Sequence, residues 1–311
     1  MSEFFSINNK KVNLTVDSAT LKEGFIEISG GKVWFKIEGC DKEKIPFLLL
    51  HGGPGSPHDS LEAFENLKND RPIVFYDQLG CGNSDKPDDN SLWTVARFVE
   101  EVEQVMNALG LKKVHLFGHS WGSMLAIAYI LKYKEKVLSC ILSGPFLSSP
   151  MFIEDARYYV SQLPDKYREI INKCEETSNY DNKEYDEAID YFSRQHIRRL
   201  DIMPECVLRG KPKFGAAVYN HMWGPSEFTA IGTLNEVSYV ERLHEISIPV
   251  LFMSGRYDEV RPRTVELYAS KIEDAKIEII EDASHCTYNE KPEEVVNIVR
   301  NFLSEVKTFF Y

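Results

Sequence analysis

No stretch of this 311-residue chain is apolar enough to cross a bilayer: runs such as "PFLLL" fall far short of the roughly 20 residues a membrane helix needs. Basic residues are in deficit, with 36 Lys and Arg against 48 Asp and Glu, a net charge of −12. That balance argues against nucleic acid and against membrane surfaces as partners. The first residues, "MSEFFSINNKK", lack a basic segment followed by an apolar one, so no secretory signal is expected. Cys40, Cys81, Cys140, Cys174, Cys206 and Cys286 lie far apart with no C-x-x-C pair, which suits neither a zinc site nor a disulfide framework. Reduced thiols in a cytoplasm are the expectation, without metal or cofactor. Repeats and low-complexity tracts are absent. Nothing in the sequence fixes an oligomeric state, and a monomer is the default.

What is present is 43% hydrophobic residues, enough for one large core or two modest ones. Residues 25–38, "FIEISGGKVWFKIE", alternate apolar and polar around Gly30-Gly31, the pattern of a hairpin. "IPFLLL" (45–50) and "RPIVFY" (71–76) are short apolar runs, as in strands buried on both faces. "TVARFVEEVEQVMNALG" (94–110) spaces its apolar residues as a helix and stops at Gly110. "KVHLF" (113–117), the helix "WGSMLAIAYILKY" and the strand "VLSCILSG" (137–144) continue the rhythm. From about Pro145 to Ile246 buried-strand signals cease, and charged, aromatic helical segments such as "EYDEAIDYFSRQHIRRL" (184–200) take over. Strand and helix then alternate again: "PVLFMSG" (249–255), a helix near 264–272, "KIEII" (276–280) and a last helix from about 293. This alternation predicts a doubly wound α/β sheet, mostly parallel, with residues 1–144 and 247–311 as core and 145–246 as a helical insertion.

"GHSWG" (118–122) fits G-x-S-x-G, follows a predicted buried strand and opens a helix, the sharp elbow that exposes a nucleophilic hydroxyl. The five letters alone recur by chance; two further features support them. Asp258 follows the strand "PVLFMSG" and His285 follows "KIEII", so both fall at carboxyl ends of parallel strands, where sites gather in open α/β sheets. Either residue alone would more often be a loop cap or an ordinary histidine. The chain order Ser, Asp, His is the one this architecture uses. Ser120 is thus the candidate nucleophile, His285 its base and Asp258 the residue that orients the imidazole. "HGGPG" (51–55) emerges directly after "PFLLL", and its tight loop can aim amides at a ligand. The N–H groups of Gly53 and Trp121 are the candidate oxyanion hole. A serine at the elbow disfavours hydrolases that use an aspartate nucleophile.

"HGGPG", "FYDQLGCGNSD", "GHSWGS", "GPSEF" and "GRYDEV" together resemble the proline iminopeptidase family of α/β-hydrolase serine peptidases. The insertion, through "QLPDKYREII" and "EYDEAIDYFSRQHIRR", is similar to the archaeal aminopeptidases that work alongside the tricorn protease. The resemblance runs over almost the whole chain after residue 25; "GPSEF" with "YDEV" is its most specific part. It implies an α/β-hydrolase fold with a helical cap, and an exopeptidase that removes an N-terminal residue, often proline, from short peptides with a free N-terminus. It also implies that Glu227 and Glu259 grip the substrate's α-ammonium. The helix-breaking "WGP" would then turn the insertion so that Glu227 faces the pocket, where a lone glutamate after such a break would ordinarily be a solvated turn residue. Tyr219 matches a tyrosine of the related aminopeptidases and stays open between pocket wall and core residue.

Leu79 stands where many bacterial members carry arginine, and His119 where they carry glycine. Related bacterial amino-acid amidases share "DQLG" and "GPSEF", so an amino-acid amide hydrolase is the alternative reading. A ligand-binding receptor on a hydrolase fold is a third, disfavoured by the complete set of reactive residues. Cys286, beside His285, reads as a small passive hydrophobe.

Overall fold

The computed structural model describes residues 3–7, 10–18, 21–39 and 43–306. Strands β1 (Glu3–Ile7), β2 (Lys10–Ser18), β3 (Leu21–Ile28) and β4 (Gly31–Glu38) form an antiparallel meander. The first two of these were not foreseen. Ile28 pairs with Gly31, so the β3–β4 turn is Ser29–Gly30, one residue earlier than expected. The parallel half contains β5 (Phe47–Leu50), β6 (Ile73–Tyr76), β7 (Val114–His119), β8 (Val137–Ser143), β9 (Val250–Gly255) and β10 (Lys276–Ile280). All ten strands join one sheet in the order β1-β2-β3-β4-β6-β5-β7-β8-β9-β10, and the antiparallel pair β4–β6 joins the two halves.

Helices α1 (Val95–Ala108) and α2 (Trp121–Tyr133) flank β7 in sequence, and α8 (Pro262–Ala269), α9 (Thr287–Glu290) and α10 (Pro292–Glu305) flank β10. Thr94 caps α1 by accepting from the Arg97 N–H at 3.2 Å. Successive side chains of a strand point to opposite faces, and the core divides accordingly. Leu48, Leu50 and Leu116 pack with Val102, Ile127 and Val265 of α1, α2 and α8. Phe47, Leu49 and Phe117 pack on the other face with Val299 and Phe302 of α10. Burial on both faces is why these strands are continuous apolar runs.

Between β8 and β9 lie α3 (Ser149–Ser161), α4 (Asp165–Thr177), α5 (Lys183–His196), α6 (Glu205–Gly210) and α7 (Ala216–Met222). The amphipathic faces of α3, α4 and α5, with Phe228 after α7, build a separate small core around Val160, Ile171, Tyr185 and Phe192, while α7 packs Val218 and Met222 onto the main core. Cys81, Cys140, Cys174, Cys206 and Cys286 are free thiols, while Cys40 lies outside the described residues. No helix among the described residues is long and apolar enough to cross a membrane.

Candidate active site

From β5 the chain steps to β6 on one side and then returns to β7 on the other. The loops leaving the carboxyl ends of β5 and β7 therefore diverge and open a crevice between them. "HGGPG" leaves β5, and the elbow leaves β7. Ser120 sits at φ 52° and ψ −122°, a strained backbone for a residue with a side chain. The turn is this tight because its flanking residues lack a Cβ: one on Gly122 would lie 2.2 Å from the Leu50 carbonyl oxygen, and one on Gly118 would lie 2.2 Å from that of Gly122. Trp121 is the first residue of α2, so its N–H has no carbonyl four residues back to bond. Its indole is buried in the opposite direction and donates to Gln78 Oε1 at 2.8 Å.

Gln78, just beyond β6, also donates from Nε2 to the His51 carbonyl at 3.0 Å, while its own N–H donates to His51 Nε2 at 2.9 Å. Burial pushes His51 down to about 4, so its imidazole is neutral and able to accept. One glutamine thus ties the glycine loop to the elbow. Sequence reasoning met Gln78 only as a letter of "DQLG", because its role depends on three separate strand ends meeting.

Asp258 follows β9 and is fully buried. Its Oδ1 lies 2.8 Å from His285 Nδ1 and accepts the Val260 N–H at 2.9 Å; its Oδ2 accepts the Ser254 hydroxyl at 2.9 Å. Accepting at both oxygens assigns the proton to His285 Nδ1 and leaves Nε2 as the free nitrogen of the neutral ring. Ser254, at the end of β9, is a positioning residue with no marker in the sequence. The His285 loop hangs on the insertion: the N–H groups of His285 and Cys286 donate to the carbonyls of His196 and Ile197 at 3.1 and 2.9 Å. His119 stacks under this loop, its ring 4.6 Å from that of His285. Burial, reinforced by His285 and Arg198, holds His119 well below the ordinary histidine range and hence neutral. Cys286 is buried and its Sγ accepts from Arg198 Nη2 at 3.0 Å.

Ser120, His285, Gly53, Tyr219 and Glu227 line one cavity of about 290 Å³. Asp258 and Glu259 lie just behind its wall, and Trp121 turns its side chain away.

The "WGPSEF" break has a specific geometry. Helix α7 ends at Met222, and Trp223 packs its ring against Phe146 and Phe152 at 5.2 and 5.3 Å. Gly224 sits at φ 156°, and only glycine fits there because a Cβ would meet the Thr229 carbonyl oxygen at 2.1 Å. Ser226 and Thr229 then bridge across a tight turn. The Tyr185 hydroxyl holds both of their hydroxyls at 2.8 Å, and Phe228 inserts into the core of the insertion, 5.2 Å from Phe192. With its neighbours pinned, Glu227 is left facing the cavity.

Glu259 is completely buried, and neither of its carboxylate oxygens has a hydrogen-bond partner. Oε1 lies 3.4 Å from His285 Nε2, so Asp258 and Glu259 flank opposite nitrogens of one imidazole. Burial raises Glu259 well above the carboxylate range, and the charges of Glu227 and Asp258 raise it further. Burial also raises Glu227, opposed by His285 and by a hydrogen bond from Tyr219. Glu227 thus lines the cavity while Glu259 lies buried behind it, close enough for the charge of one to act on the other. Tyr219 is buried, and burial together with Glu227 keeps its hydroxyl protonated.

Fold and site define the class: residues 45–292 match the alpha/beta hydrolase fold family, and the chain is an α/β hydrolase. It is 43% identical over 286 residues to a proline iminopeptidase of Heyndrickxia coagulans, covering 91% of this chain and 99% of that one. Among solved structures, VinJ superposes with a TM-score of 0.88 at 30% identity, over 92% of this chain and 99% of that one. A proline iminopeptidase of Mycobacterium smegmatis gives 0.83 at 30% identity, over 91% and 98%. The chain belongs to the proline iminopeptidase family and is a hydrolase.

Proposed function

We propose that this hydrolase is a serine exopeptidase that releases an N-terminal residue, proline or another small apolar one, from short peptides through an acyl-enzyme on Ser120. The observation that carries this reading is the pair Glu227 and Glu259, one lining the cavity and one buried behind it, with no Lys or Arg among the described residues paired to either. Such a pair is costly unless a cation completes it. The ammonium of an N-terminal proline has two N–H donors, one for each carboxylate, and charge-assisted bonds of this kind are the strong ones. Tyr219, already bonded to Glu227, closes that end of the pocket.

With the amine anchored, the first carbonyl comes to Ser120. The hydroxyl attacks, His285 Nε2 takes its proton, and Asp258 keeps Nδ1–H in place. The N–H groups of Gly53 and Trp121 stabilise the developing oxyanion. The C–N bond breaks as His285 returns the proton to the leaving amine. Water then repeats the sequence on the ester, freeing the amino acid and the serine. Residues 145–246 act as a cap over a core of 1–144 and 247–311 and carry Glu227 to the site.

An amino-acid amide hydrolase would release only ammonia and need no space past the scissile bond. A second cavity of about 710 Å³ shares Ser56, Ser60 and Phe214 with the first, which favours a peptide leaving group. The test is hydrolysis of Pro-naphthylamide beside its N-acetyl derivative. The free amine should be strongly preferred; equal rates would overturn the reading.

A further inference from the structure

The two cavities meet along α5 and the loop after β5. Both are lined by Ser56, Ser60, Ser193, Ile197, Arg198 and Phe214. Glu227, Tyr219, Ser120 and His285 line only the first. The amine end and the leaving-group end are therefore opposite ends of one channel, and Arg198 stands at the junction. Its Nε donates to Asn289 Oδ1 at 3.1 Å and its Nη2 to Cys286 Sγ at 3.0 Å, both neutral acceptors. No carboxylate oxygen among the described residues lies within 4 Å of it, although the chain carries a net charge of −12. By contrast, Arg209, Arg261 and Arg300 each hold an acidic partner, and Arg194, which also lines the second cavity, is paired with Asp190 at 2.9 Å. A partly buried guanidinium with free donors, on which Glu290 acts only from beyond ion-pair distance, is costly to keep for structure alone, since two neutral bonds need no cation.

Resting on the exopeptidase reading above, we infer that Arg198 receives the C-terminal carboxylate of the peptide substrate, so that the preferred substrates are short peptides with both termini free. The guanidinium presents a planar fork suited to a carboxylate. Farther out, the second cavity carries Asp186 and Asp201, the pair Asp190–Arg194, and the exposed Lys211, so Arg198 is the cation that both cavities share. The substrate's two charges thus meet opposite charges along the channel: Glu227 and Glu259 on the amine at one end, Arg198 on the carboxylate at the junction. Arg198 is a specificity residue in this scheme and takes no part in bond breaking.

The experiment compares kcat/KM for Pro-Gly-Gly and its C-terminal amide at low ionic strength, with Pro-naphthylamide as a substrate that has no carboxylate. Wild type should favour the free acid at least about tenfold. In Arg198→Gln that ratio should collapse to within about twofold, whatever happens to the two separate rates, because both peptides share every other contact. Arg198→Lys should restore part of the ratio, since it keeps the charge without the fork. Added salt should erode the wild-type preference, a reading that stands even if no variant folds. Equal treatment of acid and amide by wild type, or an undiminished ratio in Arg198→Gln, overturns the inference. If Pro-naphthylamide is still cleaved in that case, the exopeptidase reading survives alone. If none of the three substrates is cleaved, both fall.

Discussion

At the scale of single residues, the site depends on groups held in unfavourable states. Ser120 occupies a strained backbone, and Glu259 is a buried carboxyl with no hydrogen-bond partner beside two other carboxylates. Ser120→Ala should remove most of the rate acceleration, by roughly 10⁴–10⁶ in kcat, with the fold retained. A well-folded variant that keeps a tenth of wild-type turnover of Pro-naphthylamide would refute the nucleophile. Glu227→Gln and Glu259→Gln should each lower kcat/KM by at least about tenfold. Their effects should be less than additive in the double variant, because both hold one ammonium. A fluorophosphonate should still label Ser120 in both, separating loss of binding from loss of the nucleophile. Glu259→Gln should also raise thermal stability at neutral pH, since it removes the cost of a buried charge.

At the scale of elements, the site exists because four strand ends and one helical insertion converge. β5 and β7 supply the "HGGPG" loop and the elbow, β9 and β10 supply Asp258 and His285, and the 226–229 turn supplies Glu227. The elbow tolerates no bulk: Gly122→Ala would drive a methyl group to 2.2 Å from the Leu50 carbonyl oxygen, between β5 and α2. Overpacking of this kind costs at least about 2 kcal/mol. Gly110, which ends the segment after α1 at φ 69°, has nothing within 4 Å of its Cβ position. Gly110→Ala should therefore cost only the backbone strain, about 1–2 kcal/mol. Urea unfolding of the two variants checks the contrast. If Gly110→Ala were the more damaging, close packing would not be what the elbow glycines provide.

At the scale of the whole molecule, the paired glutamates link proton binding, ligand binding and stability. Burial raises both carboxyls in the folded protein above the ordinary carboxylate range. The folded state therefore binds more protons than the unfolded chain between the ordinary carboxylate range and the raised values. Their contribution to stability is present below the ordinary range and is lost as pH rises through the raised values. A cation reverses this by binding the ionised pair. Pyrrolidinium, which stays charged to strongly alkaline pH, should thus raise Tm more at pH 8 than at pH 5, following mass action. The difference should vanish in the Glu227→Gln, Glu259→Gln double variant. An equal shift at both pH values in wild type would contradict the ammonium site.

The sequence by itself determined the α/β class, because strands buried on both faces must be apolar runs and the helices between them must be amphipathic. It also placed Ser120, Asp258 and His285 after β7, β9 and β10, since a parallel sheet puts all such positions on one edge. The strands before residue 21 escaped it, as did the position of the β3–β4 turn: an antiparallel meander alternates polar and apolar residues, a weaker signal than a buried run. Only the tertiary structure decided what surrounds the reactive groups. Gln78 clamps two loops, Ser254 braces Asp258, Glu259 comes to 3.4 Å from His285 Nε2, and Arg198 stands without an ion-pair partner among the described residues where two cavities join. Each of these depends on residues far apart in the chain. Local propensity governs the nearest neighbours in sequence, whereas charge, desolvation and hydrogen bonding act between whatever the fold brings within a few ångströms.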